Sequence, residues 1–171
     1  VFSDRTRAIL VNTPHNPTGM VMTDAQLTLI ADLCKKHDTL VFSDEVYERL
    51  TFDGCVHRSI ATISGMRERT VVMSSIGKTF SLTGWKVGWT IAPPELTAGI
   101  RSAHQFLTFS VPGPMQVGAA ALLDNARDEV ERISKHYTQT RSVLGEALSD
   151  LGFGVHLPQG SYFIMADHSM V

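Results

Sequence analysis

Three short apolar runs, each followed at once by polar residues, constrain the fold of this chain most strongly. They are Ala8–Val11, Thr39–Phe42 and Thr70–Met73. Their apolar residues are contiguous rather than alternating, which is typical of strands buried on both faces of a parallel sheet. A helix with Thr23 as its N-cap is predicted between the first two runs, and this strand–helix–strand order indicates a right-handed βαβ crossover. The sequence therefore predicts an α/β fold.

Each predicted strand leads directly into a segment that carries chemically useful side chains. These segments are Asn12–Gly19, Ser43–Tyr47 and Ser74–Trp89. Open α/β sheets bind their ligands at the carboxyl ends of the strands. The three segments are therefore predicted to form one site.

The third segment offers the groups that pyridoxal 5'-phosphate (PLP) requires. The amine of Lys78 is able to form a Schiff base, and the hydroxyl of Ser75 and the cation of Lys86 are able to hold a phosphate. Taken alone, the Gly77–Thr79 turn would equally suit a surface lysine. A nucleotide-binding P-loop is excluded because that pattern requires glycine at position 72, where this chain has Val72.

Together, the three segments resemble those of the class I/II aminotransferases, in the fold-type I family of PLP enzymes. Asp44 follows Asn16 by 28 positions, and Lys78 follows Asp44 by 34. The run Gly84-Trp85-Lys86-Val87-Gly88-Trp89 is similar to the kynurenine, methionine and glutamine-type enzymes and to bacterial N-succinyldiaminopimelate aminotransferases. The resemblance implies an aspartate aminotransferase-like large domain, with a mainly parallel sheet and helices on both faces, plus the start of a small C-terminal domain.

The resemblance also implies a role for four residues around the cofactor ring. Lys78 would carry the Schiff base and then serve as the base at the substrate α-carbon. Asp44 would pair with the protonated pyridine nitrogen, and Tyr47 and Asn16 would hydrogen-bond the phenolic oxygen O3'. The residues themselves also allow a helix N-cap for Asp44, a packing aromatic for Tyr47 and a turn former for Asn16. Glu45 is predicted to be a surface or salt-bridging residue.

By the same resemblance, two further residues bind the cofactor phosphate. Ser75 would supply a hydroxyl donor and Lys86 a point charge. Better-known relatives carry arginine at the position of Lys86, and some carry a second serine at the position of Gly77. One phosphate donor found elsewhere is therefore expected to be missing.

The remaining sequence predicts one more strand of the sheet, several helices and a final strand. Lys86–Ala92 is predicted to run antiparallel, because only a short connection joins it to the third strand. Helices are predicted at Pro94–Phe109, Met115–Leu123 and Asn125–Leu151. Gly160–Met165 predicts a strand that opens the next domain.

The resemblance divides the chain into three parts. Residues 1–124 would be the C-terminal half of the PLP-binding large domain, residues 125–151 a long connecting helix, and residues 152–171 the truncated start of the small domain. In that last part, Tyr162 and Phe163 are predicted to pack in the core, and the alternative is that they line the domain cleft. Because enzymes of the family are considerably longer, the chain is expected to be an internal fragment that is inactive alone.

Composition excludes several classes of partner. The formal net charge is −2, without basic runs, which does not favour nucleic acid or an anionic membrane. No apolar stretch approaches the roughly 20 residues of a membrane span. The two cysteines, Cys34 and Cys55, form neither a metal-binding spacing nor a disulfide framework, so a cytoplasmic location is expected.

The expected activity is amino-group transfer from an amino acid donor to a 2-oxo acid acceptor. Resemblance implies ping-pong chemistry through the Lys78 Schiff base, in a homodimer. Two alternatives stay open at this point. One is a PLP-dependent cysteine-conjugate β-lyase that uses Lys78, Asp44 and Tyr47, and the other is the aminotransferase-like effector domain of a transcription regulator, with PLP as a sensed ligand.

Overall fold

The computed structural model describes residues 2–169 and 171, and a four-stranded sheet forms its centre. The strands are β1 (Ala8–Asn12), β2 (Leu40–Asp44), β3 (Thr70–Ser75) and β4 (Gly88–Ile91), adjacent to one another in that order. The pairs β1–β2 and β2–β3 are parallel, and β3–β4 is antiparallel. This topology confirms the mainly parallel sheet and the antiparallel fourth strand.

Five helices accompany the sheet within the described residues. They are α1 (Asp24–Lys36), α2 (Ile76–Thr79), α3 (Pro94–Leu107), α4 (Gly113–Asn125) and α5 (Arg127–Asp150). Thr23 caps α1 as predicted, in a reciprocal pair of hydrogen bonds with Gln26. None of the helices in the described part of the chain is long and apolar enough to cross a membrane.

A continuous apolar core holds α1 against the sheet. Leu27, Ala31 and Cys34 on α1 are fully buried, together with Val41 on β2 and Ile60 in a short 3₁₀ turn. Burial of one such leucine side chain contributes about 1.5–3 kcal/mol. This packing fixes the direction in which β1 and β2 deliver the residues at their carboxyl ends.

The predicted strand at Gly160–Met165 is wrong in its position. The structure has a separate two-stranded sheet of β5 (Gly154–His156) and β6 (Met165–Asp167). Ser161 adopts a positive φ of 64°, which a strand does not accommodate. Its N–H donates instead to the carbonyl of Leu50, so this segment is fastened to the large sheet's loops.

Helix α3 carries no buried residue among those described. Phe106, Leu107 and Phe109, at and just after its C-terminal end, are between 80% and 88% exposed. Isolated exposed apolar side chains are ordinary, whereas three large ones close together form an apolar patch, which is typical of an interaction surface.

Candidate active site

The carboxylate of Asp44 lies at the carboxyl end of β2, next to the end of β1. The main-chain carbonyl of Asp44 accepts a hydrogen bond from Nδ2 of Asn12 at 3.1 Å, and the carboxylate oxygen Oδ1 accepts one from the N–H of Val46 at 3.2 Å. The side chain is half-buried, and it forms no ion pair with a described lysine, arginine or histidine. A carboxylate in this state is able to accept a cationic partner.

Lys78 lies just beyond β3, on the single-turn helix α2. Its ε-amine donates a hydrogen bond to the hydroxyl of Tyr162. The same nitrogen lies 4.8 Å from the centroid of the Tyr162 ring and 5.8 Å from that of Tyr47. The ends of β2 and β3 and the segment before β6 therefore meet around this amine.

Tyr47 is almost fully buried, and its ring meets Tyr162 edge-on at a centroid distance of 5.3 Å. Burial raises the pKa of Tyr47, and the neighbouring hydroxyl of Tyr162 and the charge of Asp44 raise it further, whereas Asn16 lowers it. The phenol is therefore protonated at neutral pH and able to donate a hydrogen bond.

The turn after β1 presents Asn16 at the surface of the site. Its N–H donates to Oδ1 of Asn12 at 2.8 Å, while its side chain stays exposed. The bonds Thr13–Pro14 and Asn16–Pro17 are both cis. Because the turn directly follows β1, Asn16 lies at the edge of the sheet that also carries Asp44 and Lys78.

Ser75 and Lys86 lie at the same edge of the sheet, but neither side chain forms a hydrogen bond with the Lys78 amine. Oγ of Ser75 accepts a hydrogen bond from the N–H of Gly77 at 3.2 Å. Ser75 pairs with Gly88 across β3 and β4, which places Lys86 two residues from that pair. The Lys86 side chain is exposed, so its cation is available to an anion.

Sequence reasoning missed a buried polar cluster around Glu45. Oε1 of this residue accepts from Ser43 at 2.8 Å and from Ser59 at 2.7 Å, and Oε2 lies 2.9 Å from Nε2 of His57. Burial opposes ionisation, but the hydrogen bonds from His57, Ser59 and Ser43 outweigh it and lower the pKa of Glu45. Glu45 is thus salt-bridging, as one alternative held, but not a surface residue.

Tyr162 packs in the core as predicted, but sequence reasoning missed the contact that its hydroxyl makes. It does pack against Tyr47, Tyr137 and Phe163, yet its hydroxyl also contacts the candidate catalytic amine. The two residues are 84 positions apart, and no local pattern in the sequence marks such a pair.

Comparison with known proteins decides the family. The model of the aminotransferase class I and II family matches residues 2–171. The chain belongs to that family. Members of the class I and II aminotransferases depend on PLP.

Similar proteins cover nearly all of this chain. A kynurenine–oxoglutarate transaminase of Dictyostelium discoideum is 45% identical over 99% of the chain and 40% of its own length. The solved N-succinyldiaminopimelate aminotransferase of Mycobacterium tuberculosis has a TM-score of 0.97 at 40% identity, covering 99% of this chain and 44% of that one. Escherichia coli YbdL, for which a methionine aminotransferase function is described, has a TM-score of 0.93 at 38% identity, covering 100% and 45%.

These similarities confirm the aspartate aminotransferase-like fold class. The chain spans about two fifths of the length of the curated relatives it matches; for the Dictyostelium discoideum enzyme the share is 40%.

The described residues of this aminotransferase chain fit PLP. The half-buried carboxylate of Asp44 forms no ion pair with another described residue. It is therefore available to pair with a protonated ring nitrogen. Tyr47 retains its proton and is able to hydrogen-bond a ring oxyanion. Lys78 contacts a phenol rather than a carboxylate, so its amine is not locked in an ion pair.

Proposed function

We propose that the complete protein containing this chain is a PLP-dependent aminotransferase that moves an amino group from an amino acid to a 2-oxo acid. The observation that carries the proposal is the convergence of Lys78, Asp44 and Tyr47 at the carboxyl ends of adjacent strands. Membership of the aminotransferase family supports the same reaction class. The named relatives are transaminases, which does not favour the β-lyase or the regulator.

Lys78 is proposed as the catalytic residue. Its ε-amine would bind PLP covalently and, once the substrate amine has displaced it, would take the proton from the substrate α-carbon. When bound, PLP supplies an electron-poor ring that accepts the negative charge left at that carbon. Lys78 lies on a short helix directly after β3, which holds its main chain at the edge of the sheet where the site lies.

Asp44, Tyr47 and Asn16 are proposed to hold the cofactor ring. The carboxylate of Asp44 would keep a proton on the ring nitrogen, and the Tyr47 hydroxyl and Asn16 amide would hydrogen-bond O3'. Their common placement around one buried phenol supports this assignment, because burial makes each polar contact stronger.

Ser75 and Lys86 are proposed to bind the phosphate. The hydroxyl of Ser75 would donate one hydrogen bond to the phosphate. The ammonium of Lys86, which lies just before the neighbouring strand β4, would add a positive charge. The exposed Lys86 supports the proposal only as an available cation, since the structure records no partner for it among the described residues.

The proposal extends to substrates and assembly. The similarity to enzymes named for kynurenine, N-succinyldiaminopimelate and methionine supports an amino acid donor from that branch. The exposed apolar residues Phe106, Leu107 and Phe109 support a homodimer. A cytoplasmic location is supported by the two free cysteines, Cys34 and Cys55.

We also propose that the domain division holds as predicted. Residues 1–124 would belong to the large domain, 125–151 to the connecting helix and 152–171 to the small domain. The extent of α5 at Arg127–Asp150 and the separate β5–β6 sheet support it.

A half-reaction on the complete protein tests the proposed function. The PLP-loaded protein is mixed with one donor at a time, without an acceptor, from kynurenine, methionine, glutamine, glutamate and N-succinyldiaminopimelate. We expect one donor to release its 2-oxo acid in an amount equal to the enzyme, with turnover resuming when a 2-oxo acid is added. A cysteine S-conjugate is tested in the same way, because a β-lyase needs a leaving group on Cβ; thiol, pyruvate and ammonia released from it catalytically without an acceptor would identify a lyase instead. No product with any donor would contradict the assignment.

A further inference from the structure

Tyr162 is held in place by main-chain hydrogen bonds rather than by a regular element. In the three residues before it, Gln159 accepts from the N–H of Phe52 at 2.9 Å, Gly160 donates to Gly19 at 2.8 Å and Ser161 donates to Leu50 at 2.9 Å. These bonds fasten the start of this segment to the loops that follow β1 and β2. The ring of Tyr162 therefore has a fixed position relative to the site.

Aromatic neighbours fix the orientation of the Tyr162 ring as well. Tyr137 on α5 stacks on it at 5.6 Å with an interplanar angle of 23°, and Tyr47 meets it edge-on at 5.3 Å. Phe163 packs on it at 4.7 Å. With these rings around it, the hydroxyl lies within hydrogen-bond distance of the ε-amine of Lys78.

The phenol oxygen of Tyr162 is a good acceptor for that amine. Burial raises its pKa, but the hydrogen bonds with Lys78 and Tyr47 outweigh burial and lower it. The lowered pKa is a consequence of the same contact, because an amine or ammonium that donates to the phenol oxygen favours its ionised form. The contact thus stabilises one position of a side chain that otherwise has many rotamers.

We propose that Tyr162 is a positioning residue for Lys78 that holds the unattached ε-amine at the reaction centre. The inference rests on the proposed function of Lys78 and deepens it. The amine of Lys78 would be unattached before PLP binds and again after the substrate has displaced it. In both states, a side chain that samples many rotamers lowers the effective concentration of the amine at the atom with which it reacts. Tyr162 removes that freedom without joining the chemistry.

The test compares two variants of the complete protein. Tyr162→Phe keeps the ring and its packing but removes the acceptor. Tyr137→Phe is the matched control. It also removes a hydroxyl from an aromatic ring, the one that stacks on Tyr162, but the hydroxyl of Tyr137 forms no hydrogen bond with Lys78. Apoprotein of each variant is mixed with PLP, samples are reduced with borohydride at timed intervals, and the labelled Lys78 peptide is quantified by mass spectrometry. kcat and KM are measured for the fastest donor.

We expect Tyr162→Phe to slow PLP attachment and to lower kcat on the order of tenfold, with KM changed by less than about twofold. Tyr137→Phe should match the unaltered protein in all three values. Unchanged attachment in Tyr162→Phe, or equal slowing in both variants, would overturn the inference and leave the proposed function intact. If the unaltered protein never carries PLP on Lys78, the proposed function fails first, and this inference with it.

Discussion

Nε2 of His57 lies 2.9 Å from Oε2 of Glu45, one residue beyond the candidate cofactor ligand Asp44. Only 2% of the Glu45 side chain and 7% of the His57 side chain are exposed. A charge this deeply buried is tolerated only when every lone pair finds a partner, and Ser43 and Ser59 supply the others. The pair thus anchors the strand end on which the site is built.

Replacing Glu45 should destabilise the protein strongly. Glu45→Gln removes the charge that His57, Ser43 and Ser59 were arranged to solvate, so we expect the free energy of unfolding in urea to fall by about 3 kcal/mol. The hydrogen bonds hold the pKa of Glu45 below its usual value of 4.5. Its ionised form therefore contributes stability above that pH, and the contribution is lost as the pH falls through the lowered pKa.

The control is Asp32→Asn, which breaks an exposed ion pair with Lys35 on α1. We expect this change to cost less than about 0.5 kcal/mol. Glu45→Gln should also make the free energy of unfolding depend less on pH in the acidic range, because the group that titrates there is gone. Equal, small effects of both substitutions would show that the buried cluster contributes little.

Asp44 should control retention of the cofactor. In Asp44→Asn the amide cannot compensate a protonated ring nitrogen, so we expect the Kd for PLP to rise on the order of tenfold or more, together with a loss of transamination. Equilibrium dialysis measures the first and product analysis the second. Asp38→Asn, at a 95% exposed carboxylate, serves as the control. A PLP affinity equal to that of the control would remove Asp44 from the ring-nitrogen role.

Lys86 should act on the phosphate alone. We expect Lys86→Ala to weaken binding of PLP about tenfold while leaving the affinity for pyridoxal, which lacks the phosphate, within about twofold. Lys135→Ala, on the exposed side of α5, should change neither value. Equal weakening of both ligands by Lys86→Ala would indicate a distortion of the turn before β4 instead.

Two glycines should respond to alanine with opposite signs. A Cβ at Gly160 would lie 2.7 Å from Cβ of Pro14 and 2.9 Å from the carbonyl oxygen of Leu50, closer than such atoms approach. Gly160→Ala should therefore lower the free energy of unfolding by about 2 kcal/mol or more and displace Tyr162. Gly99 lies inside α3 with open space around it, so Gly99→Ala should raise stability by about 0.5–1 kcal/mol. Thermal unfolding measures both, and destabilisation by Gly99→Ala would show that this face of α3 is covered.

The strands of the sheet and the antiparallel direction of the fourth followed from local patterns in the sequence. Contiguous apolar runs identified β1, β2 and β3, Thr23 marked the start of α1 as its N-cap, and the short connection to β4 indicated an antiparallel strand. These features depend on residues close together in the chain, which is why a sequence pattern carries them.

Long-range placement was beyond such patterns. Ser161 departs from a strand because its N–H bonds to Leu50, and Tyr162 reaches Lys78 across 84 positions. Glu45 sits beside Asp44 in sequence yet turns into a buried cluster completed by His57 and Ser59. In each case tertiary hydrogen bonds overrode a plausible local interpretation. The roles of Asn16, Asp44, Tyr47, Ser75, Lys78 and Lys86 at the cofactor remain predictions.

The most direct measurement is the identity of the lysine that carries PLP. The complete protein is loaded with PLP, reduced with borohydride, digested and mapped by mass spectrometry, with Lys78→Arg treated in parallel. We predict a single labelled peptide that contains Lys78, an unlabelled Lys86, and no label in the variant. Labelling of another lysine while Lys78 stays free, or retention of the label in Lys78→Arg, would contradict the account.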